Sequence, residues 1–330
     1  MEARETIVKL LNQSSLILFA FVFLTFGILA DSFLTLQNVR NILIQSSSLG
    51  IAATGMTLVL LTAGVDLSLG SIMFVAVAVS GKLLFNDYSL AISIFAALAV
   101  GFLLGMLNGL MIVRFRIVAF IATLAMLFAA RGFGLWFTNT RAMNMPDEVT
   151  QLGATHLLGV PVPILALVGI AGLTQAFLAF TPWGRQLYAL GVDPNAARKA
   201  GIRVDLILWT VYSVCGGCAA MGGLVALSQT GAVSPSFGSQ REFAAIAAAV
   251  LGGTSLFGGR GTVFPGTILG AILFQTIENG LVIMNADPYL YPMVVSIIIF
   301  LAVLLDTVRN SVVNQLRRRH IRVQLDASQD

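Results

Sequence analysis

Apolar runs of about 20 residues, the length a helix needs to cross a bilayer core, recur along nearly the whole chain. Hydrophobic residues make up 57% of the 330 positions and charged residues only 10%, against about 25% charged in an ordinary globular domain. Little sequence is left for a water-soluble domain, so lipid must be the main solvent. Windows of about 19 residues place ten membrane helices near 14–30, 43–63, 70–86, 89–113, 117–139, 161–180, 206–228, 242–256, 262–284 and 289–308. The expected fold is therefore all-α and polytopic, with some spans short or broken. The eighth is short for a bilayer and ends where Gly252, Gly253, Gly258, Gly259 and Gly261 cluster, which reads as a half-helix or a break.

Charge placement sets the expected orientation. With a cytoplasmic N-terminus, 14 of the 19 Lys and Arg residues fall in inside segments, and only Arg40, Lys82, Arg141 and Arg241 fall outside. Basic residues concentrate on the cytoplasmic side of membrane proteins, so both termini are expected inside. The net charge of +4 reports this topology rather than a nucleic-acid partner. Residues 1–13 read as a cytoplasmic segment, 14–308 as one transmembrane domain with a cytoplasmic loop over 181–205, and 309–330 as a basic cytoplasmic tail able to meet anionic lipid. Glu2 and Glu5 dilute the positive start that a cleaved signal peptide would show, so the first helix reads as a retained anchor.

The apolar run from Gly55 ends in Gly64-Val65-Asp66-Leu67-Ser68, a carboxylate at membrane depth. An Asp at a helix centre costs roughly 2.5 to 3.5 kcal/mol on insertion scales, so Asp66 must reach water or a partner. Asn108, Arg131, Asn139, Gln229, Gln275, Glu278 and Asn279 carry the same requirement. A path for a neutral, hydroxyl-rich solute would use such groups beside aromatic faces such as Phe120 and Phe128; interhelical hydrogen bonds would account for them equally. Ser68 and Thr123 join the candidates for a gate or path. Asp66 and Glu278 read as the only clear carboxylates within or at the ends of spans. Gly101, Gly105 and Gly109 share one helix face and read as a close-packing strip. Cys215 and Cys218 read as small packing residues rather than a redox pair.

The 181–205 loop carries its own punctuation. Residues 181–185 read as the close of the sixth helix. Asp193 can cap a new helix with Pro194 at its first position, followed by Asn195, Ala196, Ala197, Arg198, Lys199 and Ala200, with the basic pair near its C-terminal end and Gly201 as its stop. No phosphate loop, zinc-protease motif, nucleophile elbow or dinucleotide fingerprint accompanies these features. His156 and His320 fall on opposite sides of the expected topology. The chain thus shows no catalytic, cofactor or metal site and no visible means of hydrolysing a nucleotide.

Four blocks carry a resemblance: 55–71, 119–132, 184–202, and 247–261 with its Val-Leu-Gly-Gly-Thr-Ser-Leu-Phe-Gly-Gly centre. Together they resemble the membrane permease subunits of ribose-type bacterial ABC importers, in a family that also includes branched-chain amino-acid permeases. The Gly-Val-Asp-Leu-Ser form at 64–68 is similar to the sugar branch. The resemblance implies a multi-pass inner-membrane permease for a monosaccharide or similar polyol. It also implies a second permease copy or related subunit, cytoplasmic ABC ATPase subunits that bind the ATP, and a periplasmic sugar-binding protein. By the same resemblance, 193–201 is the coupling helix that docks on the ATPase. The residue-level alternative is an ion-coupled secondary transporter, for which broken helices and Asp66 are the motive.

Overall fold

A computed structural model describes residues 14–294, together with 296, 297, 300, 301, 304 and 307. The expected N-terminal segment 1–13 and basic tail 309–330 lie outside the described residues, and the tenth span over 289–308 falls only partly among them.

The described chain is helical almost throughout. In order run α1 (Ser14–Leu29), α2 (Leu36–Leu61), α3 (Leu69–Leu84), α4 (Leu90–Arg114), α5 (Ala119–Phe137), α6 (Asp147–Ala154), α7 (Val162–Phe180), α8 (Pro182–Val192), α9 (Pro194–Lys199), α10 (Val204–Thr230), α11 (Arg241–Leu251) and α12 (Ile268–Ile283). Among the described residues, six helical stretches are long and apolar enough to cross a membrane, including 263–283, where a π-turn leads into α12. Helices α1 and α3 are apolar but shorter. The protein is therefore an α-helical, multi-pass membrane protein.

Among the described residues, the first nine expected spans overlap observed helices but differ from them at their ends. Helix α2 begins at Leu36, seven residues before the expected start, because Thr35 caps it by accepting from Asn38 N. Residues 181–185 do more than close the sixth span. Thr181 accepts from Gly184 N at 3.1 Å, Pro182 takes the first helical position, and α8 starts there. The 140–160 connection is also structured, with α6 flanked by two short antiparallel pairings: Met143–Asn144 with Ala232–Val233, and His156–Leu157 with Val160–Pro161. Helix α11 stops at Leu251, five residues before the expected end of the eighth span, at the first glycine of its cluster.

Helix α10 lies at the centre, packed along α4, α2 and α3. The glycine strip explains how closely α4 approaches. A Cβ on Gly101 would strike the backbone of Gly216, one on Gly105 the Tyr212 carbonyl, and one on Gly109 the Trp209 backbone. Gly55 on α2 meets the Cys215 backbone in the same manner, and both cysteines are buried and unpaired. With no hydrophobic force between helices in lipid, such backbone contact supplies much of the packing energy.

Gly105→Leu should therefore separate α4 from α10 and lower the thermal midpoint, with an overpacking cost of about 1–3 kcal/mol or more. Gly169→Ala on α7, where an added Cβ meets nothing within 4 Å, should leave the midpoint unchanged or raise it. A thermal-shift comparison in one detergent or nanodisc checks both.

Candidate functional site

The chain breaks at depth between α2 and α3. Ala63 takes φ +59°, Gly64 packs against the Tyr212 hydroxyl, and the backbone then runs to the start of α3 at Leu69. Asp66, Ser68 and Asn108 meet here, each 0% exposed. Asp66 Oδ1 accepts from Ser68 N at 2.9 Å and from Ser68 Oγ at 2.6 Å, and Ser68 Oγ accepts from Asn108 Nδ2 at 2.7 Å. The chain of bonds thus ties the break to α4. Asp66 Oδ2 and Asn108 Oδ1 are buried with no partner at hydrogen-bond distance, and the Cys215 thiol, a weak donor, lies beside the carboxyl. Thr123 Oγ1 bonds its own helix at Ala119 O, 2.9 Å away, and faces the Val65 carbonyl at a longer 3.4 Å.

A second polar centre sits at the first turn of α3. Glu242, at the start of α11 and 6% exposed, lies so close to Gly70 that a Cβ there would collide with its carboxylate. A carboxylate at a helix N-terminus is favoured by the exposed amides and the helix dipole. Arg131 on α5 supplies an opposite charge near Glu242, donates from Nη1 to Phe237 O at 2.6 Å, and places its guanidinium 5.0 Å from the Phe74 ring centroid. Sequence reasoning missed Glu242 when it counted only Asp66 and Glu278 as carboxylates of the spans. Its position beside Arg241 at the start of an apolar run gave it the look of an interfacial flank.

The remaining path candidates lie apart from these centres. Glu278 sits 3.9 Å from Arg241 in a partly exposed ion pair, and Asn279 Oδ1 accepts from Asn38 Nδ2 at 2.9 Å, joining α12 to α2. Phe120 and Phe128 point outward from α5, whereas Thr123 on the same helix is buried.

At the start of α10, the 181–205 loop folds into two short helices. Asp193 ends α8 and caps α9, its Oδ1 accepting from Asn195 N at 2.8 Å and Ala196 N at 3.0 Å, with Pro194 next in line. Ala197 is the buried anchor. Arg198 and Lys199 occupy the last turn, Ala200 closes it, and Gly201 follows at φ +81°. Arg198 pairs with Asp205 at 3.1 Å, both well exposed, a contact worth little to stability. Helix α8 holds the break from below: Tyr188 Oη donates to Gly261 O at 2.8 Å, and Gly191 abuts Leu61 O and Gly259. Gly259 N in turn donates to Leu61 O at 2.9 Å. Burial pushes the Tyr188 phenol up, which keeps it a donor.

Comparison with known proteins adds a family. Residues 38–304 match the model of the branched-chain amino acid transport system permease component family. The chain is 38% identical over 303 residues to the ribose import permease protein RbsC of Escherichia coli (strain K12), covering 90% of this chain and 94% of that protein. It is 34% identical to the fructose import permease protein FrcC of Rhizobium meliloti, over 88% of this chain and 84% of that one. It is also 36% identical to the autoinducer 2 import system permease protein LsrC of Photorhabdus laumondii, over 85% of each. No solved structure matches the chain. With a family match spanning most of its length and relatives above 30% identity along nearly all of it, this chain belongs to the branched-chain amino acid transport system permease component family.

Proposed function

We propose that this chain is the membrane-spanning subunit of an ATP-driven ABC importer, passing a monosaccharide or similar small polyol across the bacterial inner membrane. The observation that carries the reading is its similarity, along nearly its whole length, to permeases named for ribose, fructose and autoinducer 2 import. The unit is a dimeric core, either two copies or a related pair, with ten spans per chain and both termini in the cytoplasm. Cytoplasmic ABC ATPase subunits bind and hydrolyse the ATP, and a periplasmic sugar-binding protein delivers the solute.

In this reading α9 is the docking element. It is short, capped at its start by Asp193, stopped by Gly201, and largely exposed, with two basic residues in its last turn. Closure of the ATPase pair moves α9. Helix α8, continuous with it through Asp193, passes the movement to the end of α2 and to the 258–261 loop. The break at Asp66 is the point where α2 and α3 change their relative angle, and the Ser68–Asn108 bonds hold α4 to that hinge. The loaded binding protein shifts the balance of outward and inward states only through its differential affinity for them.

Reconstitution with the cognate ATPase and binding protein, scored for ATPase stimulation across a panel of sugars, tests the reading directly. Stimulation by one sugar is expected. A complex that fails to assemble, combined with ion-driven uptake by the chain alone in proteoliposomes, would replace it with a secondary carrier.

Three variants test the parts. Ser68→Ala leaves Asn108 Nδ2 buried without its hydroxyl partner and removes one of the two bonds to Asp66 Oδ1, at a cost of about 1–3 kcal/mol, and should lower both the thermal midpoint and sugar uptake. Asp66→Asn should still assemble but lose most uptake per ATP hydrolysed, measured on the same vesicles. Arg198→Glu combined with Lys199→Glu should leave the midpoint near that of the parent, because neither side chain is buried, while co-purification with the ATPase falls severalfold. Undiminished co-purification and stimulation would remove these two residues from the docking role.

A further inference from the structure

A cavity of 330 Å³ opens between the first half of α2, α6 and the last turn of α10. It stands at the end of α10 opposite α9. With about 1.5 Å of rise per residue, some 36 Å of helix separate Val204 from Ser228. Its polar lining is Asn41, Gln45, Thr150, Ser228 and Gln229, with Ile44 as the apolar wall, and none of the lining residues is charged.

The amides continue beyond the cavity. Gln37, Asn41 and Gln45 recur every fourth residue, and so form one stripe along α2. Gln37 Nε2 donates to Asn41 Oδ1 at 3.1 Å, Gln275 Nε2 of α12 donates to Gln45 Oε1 at 3.1 Å, and Gln229 Nε2 donates to Ile44 O at 2.8 Å. Gln37 and Gln45 are exposed and Asn41 is half-buried. A stripe of this kind is costly against lipid, so where it lines the cavity the space it faces suits water or a polar ligand. Helix α6 forms the far wall. Its Gly153 touches the Ser228 backbone so closely that no Cβ fits between them, which fixes the wall against α10.

We infer that this cavity is a solute-binding site within each permease chain, the first station for a small, neutral, polyhydroxylated molecule entering from the end opposite the ATPase. The inference rests on the sugar-importer reading and adds the place where the sugar is held. Its volume lies within the range of small-molecule pockets. Amides and hydroxyls offer both donors and acceptors, the complement of a sugar's hydroxyls, and Ile44 suits a C–H face. A zwitterionic amino acid would enter a site with no opposite charge for either of its ends, at a large desolvation cost. The family that includes amino-acid permeases thus has, in this chain, a pocket built for an uncharged ligand.

The test uses the full importer in lipid nanodiscs with Thr150→Cys or Asn41→Cys, two variants at separate walls, labelled by a membrane-impermeant methanethiosulfonate. The parent complex, whose Cys215 and Cys218 are buried, gives the blank. Both variants should be labelled. D-ribose or D-fructose at about 100 mM should slow labelling roughly fivefold or more, as mass action gives when ligand exceeds its dissociation constant severalfold, and L-leucine should not. ATPase stimulation by the sugar-loaded binding protein is read on the same samples. Stimulation without sugar protection, or without any labelling, overturns the cavity site and leaves the importer reading standing. Protection by L-leucine alone overturns the ligand class. Absence of both stimulation and protection overturns the site together with the reading on which it rests.

Discussion

Much of this protein is arranged around a backbone that stops being helical inside the buried core. Between Leu61 and Leu69 the chain cannot satisfy its peptide groups by helical hydrogen bonds, and no lipid offers a substitute. The solution is local and made of side chains. Asp66 folds back to accept from the amide and hydroxyl of Ser68, and the same hydroxyl takes a bond from Asn108 on α4. A buried carboxylate is costly alone, and here it accepts from Ser68 just before α3 begins and, through the Ser68 hydroxyl, is linked to α4. Removing the shared hydroxyl strands the Asn108 amide and leaves Asp66 with the Ser68 backbone amide alone, which couples the two groups.

The same economy appears at Glu242. Its carboxylate lies at the first turn of α3, where amides without intrahelical partners point outward, and Arg131 bridges from α5 to the segment that precedes α11. A long helix, a break, and a shorter helix occur twice, in α2–α3 and α10–α11, and the two short helices start beside one another, where Gly70 meets Gly238 and Glu242. Close approach of these backbones depends on glycine, as does the contact of α4 with α10. Packing and polar satisfaction are thus coupled: the glycines bring α10 close enough for Tyr212 and Cys215 to close over the break, and the break keeps α3 in the position from which it packs on α10.

What was legible in the sequence follows from which signals are local. Apolar runs located the helices because burial in lipid imposes length and composition on each span separately. The α9 cap was readable from Asp193, Pro194 and Gly201, since capping depends on neighbours within a few residues. The glycine strip of α4 was readable as a packing face, but its partner on α10 was not, because helix pairing is a long-range fact. For the same reason the residues gathered as one set of path candidates separate in space. Asp66, Ser68 and Asn108 meet in one buried node, whereas Glu278 and Asn279 bond to Arg241 and Asn38 on other elements. Glu242 escaped notice because a carboxylate beside an arginine at a helix start looks interfacial until the preceding segment is seen to reach Gly70. The amides of α2 were lost to a misplaced helix start, since Gln and Asn lower the hydropathy that marked the spans.

The α8–α9 end is held to the core by a few specific contacts: the Tyr188 hydroxyl on the Gly261 carbonyl, the Gly259 amide on the Leu61 carbonyl, and Gly191 wedged against both strands of that contact. These contacts fall at the termini of helices and in a glycine-rich loop, where backbone angles can change without breaking a helical ladder. A displacement of α9 meets the start of α10 directly at the Arg198–Asp205 pair and, through α8, reaches the end of α2 at Leu61, five residues from Asp66. Helices α4 and α10, locked by backbone contact along several turns, cannot follow it by bending. The strain is concentrated at the break between α2 and α3, and the Asp66–Ser68–Asn108 bonds become the resistance against which the break opens. In the proposed importer, this makes the node a hinge with a fixed arm on α4 and a driven arm on α2, and it explains why a carboxylate is kept where an apolar turn would cost less.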